Sequence, residues 1–119
     1  MTNTIAILNT RAPFSHTNAK EALDVALITG TYEIPTSLYF SGDGVWQLIN
    51  NQKPSELAVK DFLKTFAALE FYDIEEIYVD KPSLEQRGLA ANFHIDNVTV
   101  LDELSFANSL KQHSIILSF

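Results

Sequence analysis

Hydrophobic positions along the chain fall into short runs divided by polar punctuation, and the runs alternate between two spacings. Ile5-Ala6-Ile7-Leu8 is continuously apolar and ends at Asn9 and Thr10, the pattern of a strand covered on both faces, which places it centrally in a parallel sheet. Leu23, Ala26 and Leu27 repeat at helical spacing behind Asn18 and Glu21, an N-cap with its capping-box partner, and predict a helix from about 19 to 29 stopped by Gly30. Pro35 to Phe40 reads as a second strand closed by Ser41-Gly42-Asp43-Gly44. Val45 to Ile49 predicts one or two helical turns before a polar loop from Asn50 to Pro54. Behind Ser55, the residues Val59, Phe62, Leu63 and Phe66 stand at i, i+3, i+4 and i+7, so a helix from about 56 to 70 turns one apolar stripe to a sheet. Ile74, Ile77, Tyr78 and Val79 predict a third strand up to Asp80, and Ser83 with Gln86 starts a short helix ending at Gly88. Val98 to Leu101 is a fourth strand, Asp102 caps a helix carrying Leu104, Ala107 and Leu110, and Ile115-Ile116-Leu117 is a fifth strand.

Strands alternating with helices predict an α/β domain spanning 1–119: a three-layer α/β/α architecture around a five-stranded, mostly parallel sheet. No linker, repeat or low-complexity tract divides it. Ligands of such folds collect beyond the carboxyl ends of the strands, which directs attention to Asn9–Asn18, Ser41–Gly44 and Asp80–Ser83.

Composition narrows the chemistry. A length of 119 residues with 46% hydrophobic content supports one real core and excludes a disordered chain. The net charge of −7 repels phosphate backbones and anionic lipid heads, so direct nucleic-acid and membrane binding are not expected. Cysteine is absent, which excludes disulfides, thiolate metal sites, thiol nucleophiles and any persulfide carried by this chain. Met1 to Leu8 has neither a basic region nor a long apolar one, and no run approaches the ~18 apolar residues of a membrane span. The expectation is a soluble cytoplasmic domain.

Candidate sites are sparse. The first strand-to-helix turn, Asn9 to His16, has no glycine with which to cradle a phosphate, although Arg11 could meet an anion. Asp80 stands where a phosphoacceptor receiver keeps its aspartate, yet Leu8-Asn9-Thr10 supplies no carboxylate to help hold a divalent cation. His16, His94 and His113 are far apart in sequence, no Gly-x-Ser-x-Gly elbow exists, and no metal site or cofactor is expected. Glu75 and Glu76 alternate on a strand and so point to opposite faces, reading as solvated charge and not as a paired acid and base. Phe14, Tyr32, Trp46, Phe71, Tyr72 and Phe93 sit in or beside loops, where they either cover core edges or build an interface patch near Trp46.

Several stretches carry a family resemblance: Phe40-Ser41-Gly42-Asp43-Gly44-Val45-Trp46-Gln47-Leu48-Ile49, Gln52-Lys53-Pro54, Leu69 to Glu75, and Ser83-Leu84-Glu85-Gln86-Arg87-Gly88-Leu89. Ile5 to Leu8 with Ala12-Pro13, and Ile115 to Phe119, extend it over nearly the whole chain. Together they resemble the TusC/DsrF subunit of the sulfur-relay complexes. The resemblance implies a DsrE-like fold and a cytoplasmic heterohexamer, two copies each of three related proteins, passing persulfide sulfur toward 2-thiouridine at a tRNA wobble position. It implies TusB-like and TusD-like sister subunits as partners, and a TusE-like acceptor beyond them. In the DsrE/TusD-like sister a cysteine carries the sulfur at the end of the strand before a leucine-arginine-glycine helix, and the matching position here is Asp80, which cannot hold a persulfide. The implied role is a structural subunit that is not an enzyme by itself, with Phe14, Trp46 and Asp43 as candidate interface residues. Alternatives are a subunit of a dissimilatory sulfur-oxidation complex, a small-ligand or phosphate-binding domain of flavodoxin-like fold using Asp43, Asp80, Arg11 or His16, and a self-associating binding module.

Overall fold

The computed structural model describes residues 4–10, 25, 26, 28, 34–48, 76–91, 93 and 98–119. Five strands, β1 (Ile5–Asn9), β2 (Thr36–Phe40), β3 (Ile77–Asp80), β4 (Val98–Leu101) and β5 (Ile115–Ser118), form one sheet in the order β4-β3-β2-β1-β5. Every neighbouring pair is parallel. The expected α/β layering is therefore present, and the sheet is wholly parallel. The expected helix over 19–29 is described only at Val25, Ala26 and Ile28, which are helical, and the one over 56–70 lies outside the described residues.

Topology decides which helix covers which face. From β1 to β4 the sheet grows in one direction, and the β4-to-β5 connection then returns across it to the far side of β1. With right-handed crossovers, that reversal puts the returning helix α2 (Glu103–Lys111) on the opposite face from the helical residues between β1 and β2. Strand alternation divides the side chains accordingly. Ile5, Ile7, Leu38, Phe40, Ile77 and Val79 point into one core with Ala26, Val45, Leu48 and Leu84. Ala6 and Tyr39 point the other way and pack under Phe106 of α2, flanked by Leu8, Tyr78, Leu101 and Leu110.

Three local readings shift. A 3₁₀ helix occupies Gly42–Gln47, starting three residues before the expected turns, because Gly42 takes a left-handed φ of +57° and bends the chain at once. Helix α1 spans Lys81–Gln86 with Asp80 as the flanking residue, so Ser83 lies inside it and does not cap it. The proline at position 82 explains the earlier start, since its fixed φ suits the first helical turn. In α2 the Asp102 carboxylate accepts from Ser105 N at 2.7 Å, the expected cap, but Leu104 is 71% exposed and Phe106 is the buried anchor.

Candidate functional site

The 3₁₀ turn is pressed against the end of β1. Ser41 N donates to Asn9 O at 3.0 Å, and a Cβ on Gly44 would collide with that same carbonyl, so only glycine fits there. Val45 and Leu48 anchor the turn in the larger core, while Trp46 is half-buried. Asn9 is itself 1% exposed and donates through Nδ2 to Tyr39 O at 3.2 Å.

Beside this turn β3 ends and α1 begins, and four side chains join the two elements. Ser83 is buried; its hydroxyl donates to Asp80 Oδ2 at 2.8 Å and accepts from Gly42 N at 2.9 Å. Arg87, one turn later, donates through Nε to Asp43 Oδ1 at 3.1 Å, brings a terminal guanidinium nitrogen to 3.1 Å from the same oxygen, and donates to Ser83 O at 3.2 Å. The result is a closed clasp across the carboxyl ends of β2 and β3. Gly88, at φ +62°, ends the helix just behind it, and Leu89 N bonds back to Leu84 O at 2.9 Å.

This arrangement limits what the strand ends can do. The amide of Gly42, otherwise free to meet an anion, is already held by Ser83. The guanidinium of Arg87 is matched by the carboxylate of Asp43. The Ser83 hydroxyl has spent both its proton and an acceptor site inside the clasp. Of the buried oxygens, Asp80 Oδ1 and Asn9 Oδ1 have no hydrogen-bond partner among the described residues.

A second polar centre lies under α2. Tyr39, fully buried, places its hydroxyl 2.7 Å from Ser109 Oγ and 2.8 Å from His113 Nε2. Its ring stacks on Tyr78 at 5.1 Å and meets Phe106 and His113 edge-on at 5.4 and 5.5 Å. Burial raises the Tyr39 and Tyr78 phenols above the usual tyrosine range, with the Ser109 bond opposing part of the Tyr39 rise, and burial lowers His113. Glu76, expected as solvated charge, is exposed but accepts from Ser37 Oγ at 2.7 Å.

The sequence-predicted residues thus separate. Asp43 and Asp80 meet in the clasp, joined through Ser83, Gly42 and Arg87; Trp46 stands on the adjoining 3₁₀ turn; Phe93 packs against the core. Phe14, Arg11, His16 and His94 lie outside the described residues. Sequence reasoning did not single out Ser83 as a link or Arg87 as the partner of Asp43. Their only signal was the spacing of Asp80, Ser83 and Arg87, three and four residues apart on one helical face.

The DsrE/DsrF-like family pattern matches residues 3–119. The chain belongs to the DsrE/DsrF-like family. A Protein TusC homolog of Pseudomonas aeruginosa is 32% identical over 118 residues, covering 99% of each chain. Protein TusC homologs of two Vibrio vulnificus strains are each 36% identical over 108 residues, covering 91% of this chain and 92% of theirs. Among solved structures, the ychN protein from E. coli superposes with a TM-score of 0.78, covering 99% of this chain and 100% of its own, at 21% identity. That likeness fixes the DsrE-like fold. No helix among the described residues is long and apolar enough to cross a membrane.

Proposed function

We propose that this family member is a non-catalytic structural subunit of a sulfur-relay complex, a heterohexamer with TusB-like and TusD-like sisters. In this reading the complex hands persulfide sulfur through a TusE-like acceptor toward 2-thiolation of wobble uridine in tRNA. The observation that carries it is Asp80 at the junction of β3 and α1, the place that the resemblance gives to the sister's cysteine. A carboxylate there takes no sulfur, and the sequence offers no cysteine elsewhere. The clasp adds to this, because the Gly42 amide, the Ser83 hydroxyl and the paired charges of Arg87 and Asp43 are committed to fixing α1 against the 3₁₀ turn. A rigid loop platform suits a subunit that positions a neighbour's chemistry. The similarity to TusC homologs supports the same role. With a chain at −7, tRNA contact falls to the partners.

The test is co-expression with the two related subunits from the same source, followed by light scattering. A stoichiometric six-chain particle is expected; a chain that ignores its sisters overturns the reading. Phe14, Trp46 and Asp43 are the proposed interface residues. Trp46→Ala should weaken assembly by more than about 1 kcal/mol, read as a fall in the assembled fraction on dilution, and unchanged assembly removes it as an anchor.

A further inference from the structure

The two edges of the sheet differ in the charge beside them. Val98–Leu101 of β4 is itself uncharged but is followed at once by exposed Asp102 and Glu103. No acidic residue follows β5, and Ser114 to Ser118 has no charge, no proline and no glycine. Ile115 and Ile116, pointing to opposite faces, are 43% and 46% exposed. Among the described residues nothing pairs along the rim of this strand, and each face carries a partly exposed isoleucine.

Among the described residues the backbone of that rim is also unspent. Ile115 N donates to Thr4 O, Phe119 N donates to Leu8 O, and Phe119 O accepts from Thr10 N. In a parallel ladder alternate residues make both bonds to the same neighbour, so 115, 117 and 119 face β1. Ser114, Ile116 and Ser118 then turn their N–H and C=O groups outward.

We propose that β5 is a self-pairing edge, along which two copies of this chain join antiparallel about a two-fold axis through Ile116. Four features fit a second copy. The axis makes Ile116 face Ile116 as a hydrogen-bonded pair, using the outward groups of both. Ser114 then faces Ser118 as the next such pair. Between them Ile115 lies opposite Leu117, apolar against apolar, in the closer non-hydrogen-bonded spacing. The electrostatics agree: all 15 acidic residues occur at or before Glu103, and residues 104–119 carry only Lys111. In a strongly acidic molecule β5 thus carries no acidic side chain of its own along the line where copies would meet, and an isologous contact needs such self-complementarity. The proposal stands apart from the sulfur-relay reading, although a particle holding two copies of each subunit has a two-fold axis available for it.

Because the chain lacks cysteine, single thiols report the contact cleanly. Ile116→Cys and, as the opposite-edge control, Thr99→Cys at the exposed position of β4 are each co-expressed with the related subunits and treated with a short bismaleimide. Ile116→Cys should yield a covalent dimer of this chain and Thr99→Cys should not. An uncrosslinked Ile116→Cys chain, a link to a different chain, or equal dimer from both variants overturns the proposal. A homodimer with no sisters bound upholds it while sinking the relay reading. Ile116→Lys, which sets two ammonium groups across the axis, should lower the mass by about twofold in light scattering with an unchanged circular dichroism melt. An unchanged mass for a folded Ile116→Lys chain counts against the pairing.

Discussion

The clasp at the strand ends and the aromatic centre under α2 are both organised by one hydroxyl tying two elements together, yet they are committed to different degrees. Tyr39 is sealed, with its ring gripped on three sides and its hydroxyl shared between Ser109 and His113. In the clasp only Ser83 is buried, and the outer link ends at Asp43, whose side chain is 63% exposed. The first fixes α2 to the sheet and sets stability. The second shapes a surface, and its charged outer link contributes little energy because exposed ion pairs are worth ~1 kcal/mol or less.

That contrast can be broken in graded steps. Gly44→Ala should be the most damaging change, about 3 kcal/mol or more, since the new methyl meets the backbone of β1 and no flexible side chain can yield; urea midpoints measure it. Next, Tyr39→Phe leaves Ser109 and His113 without their partner under α2 and should cost roughly 2 kcal/mol. Ser83→Ala, which strands the Gly42 amide and one Asp80 oxygen nearer to water, should cost about 1 kcal/mol; a reversed order would contradict the assigned difference in burial.

A smaller effect tracks pH. Burial lowers the His113 pKa in the folded state, with the charge of Glu76 opposing in part, so the unfolded chain binds the extra proton first. This contribution to stability is complete above the ordinary histidine value, about 6.5, and is lost as pH falls through that value toward the lower folded one. The urea midpoint should therefore drop between neutral and mildly acidic pH, and His113→Gln should drop less. Smallest of all, Asp43→Asn should change stability by under about 1 kcal/mol, whereas a larger loss would mean that the outer link holds more than shape.

The legible part of the fold is the part governed by periodicity. The unbroken apolar run of β1 placed it centrally in the sheet, and it lies between β2 and β5 as that run requires. The cap at Asp102 was readable because it acts over three residues. The clasp was not, since the bond from Gly42 to Ser83 spans 41 positions and exists only because β2 and β3 are neighbours. Ser83 looked like a helix start for a related reason: a serine before Gln86 fits a cap, and only the chain direction set by Asp80 and the proline at 82 moves it inside. Leu104 shows the same limit, because its spacing fits a core stripe while the crossing of α2 over β3 and β4 selects Phe106 instead.

The pairing of β1 with β5 also has a consequence for the order of events during synthesis. Thr4 N donates to Ser114 Oγ across a separation of 110 residues, so β1 is synthesised long before the strand that covers its outer side. Closing so long a loop is slow relative to local structure. Until then β1 offers an apolar strand with open backbone groups, a natural handle for chaperones and a hazard in any chain whose translation stalls before Ile115.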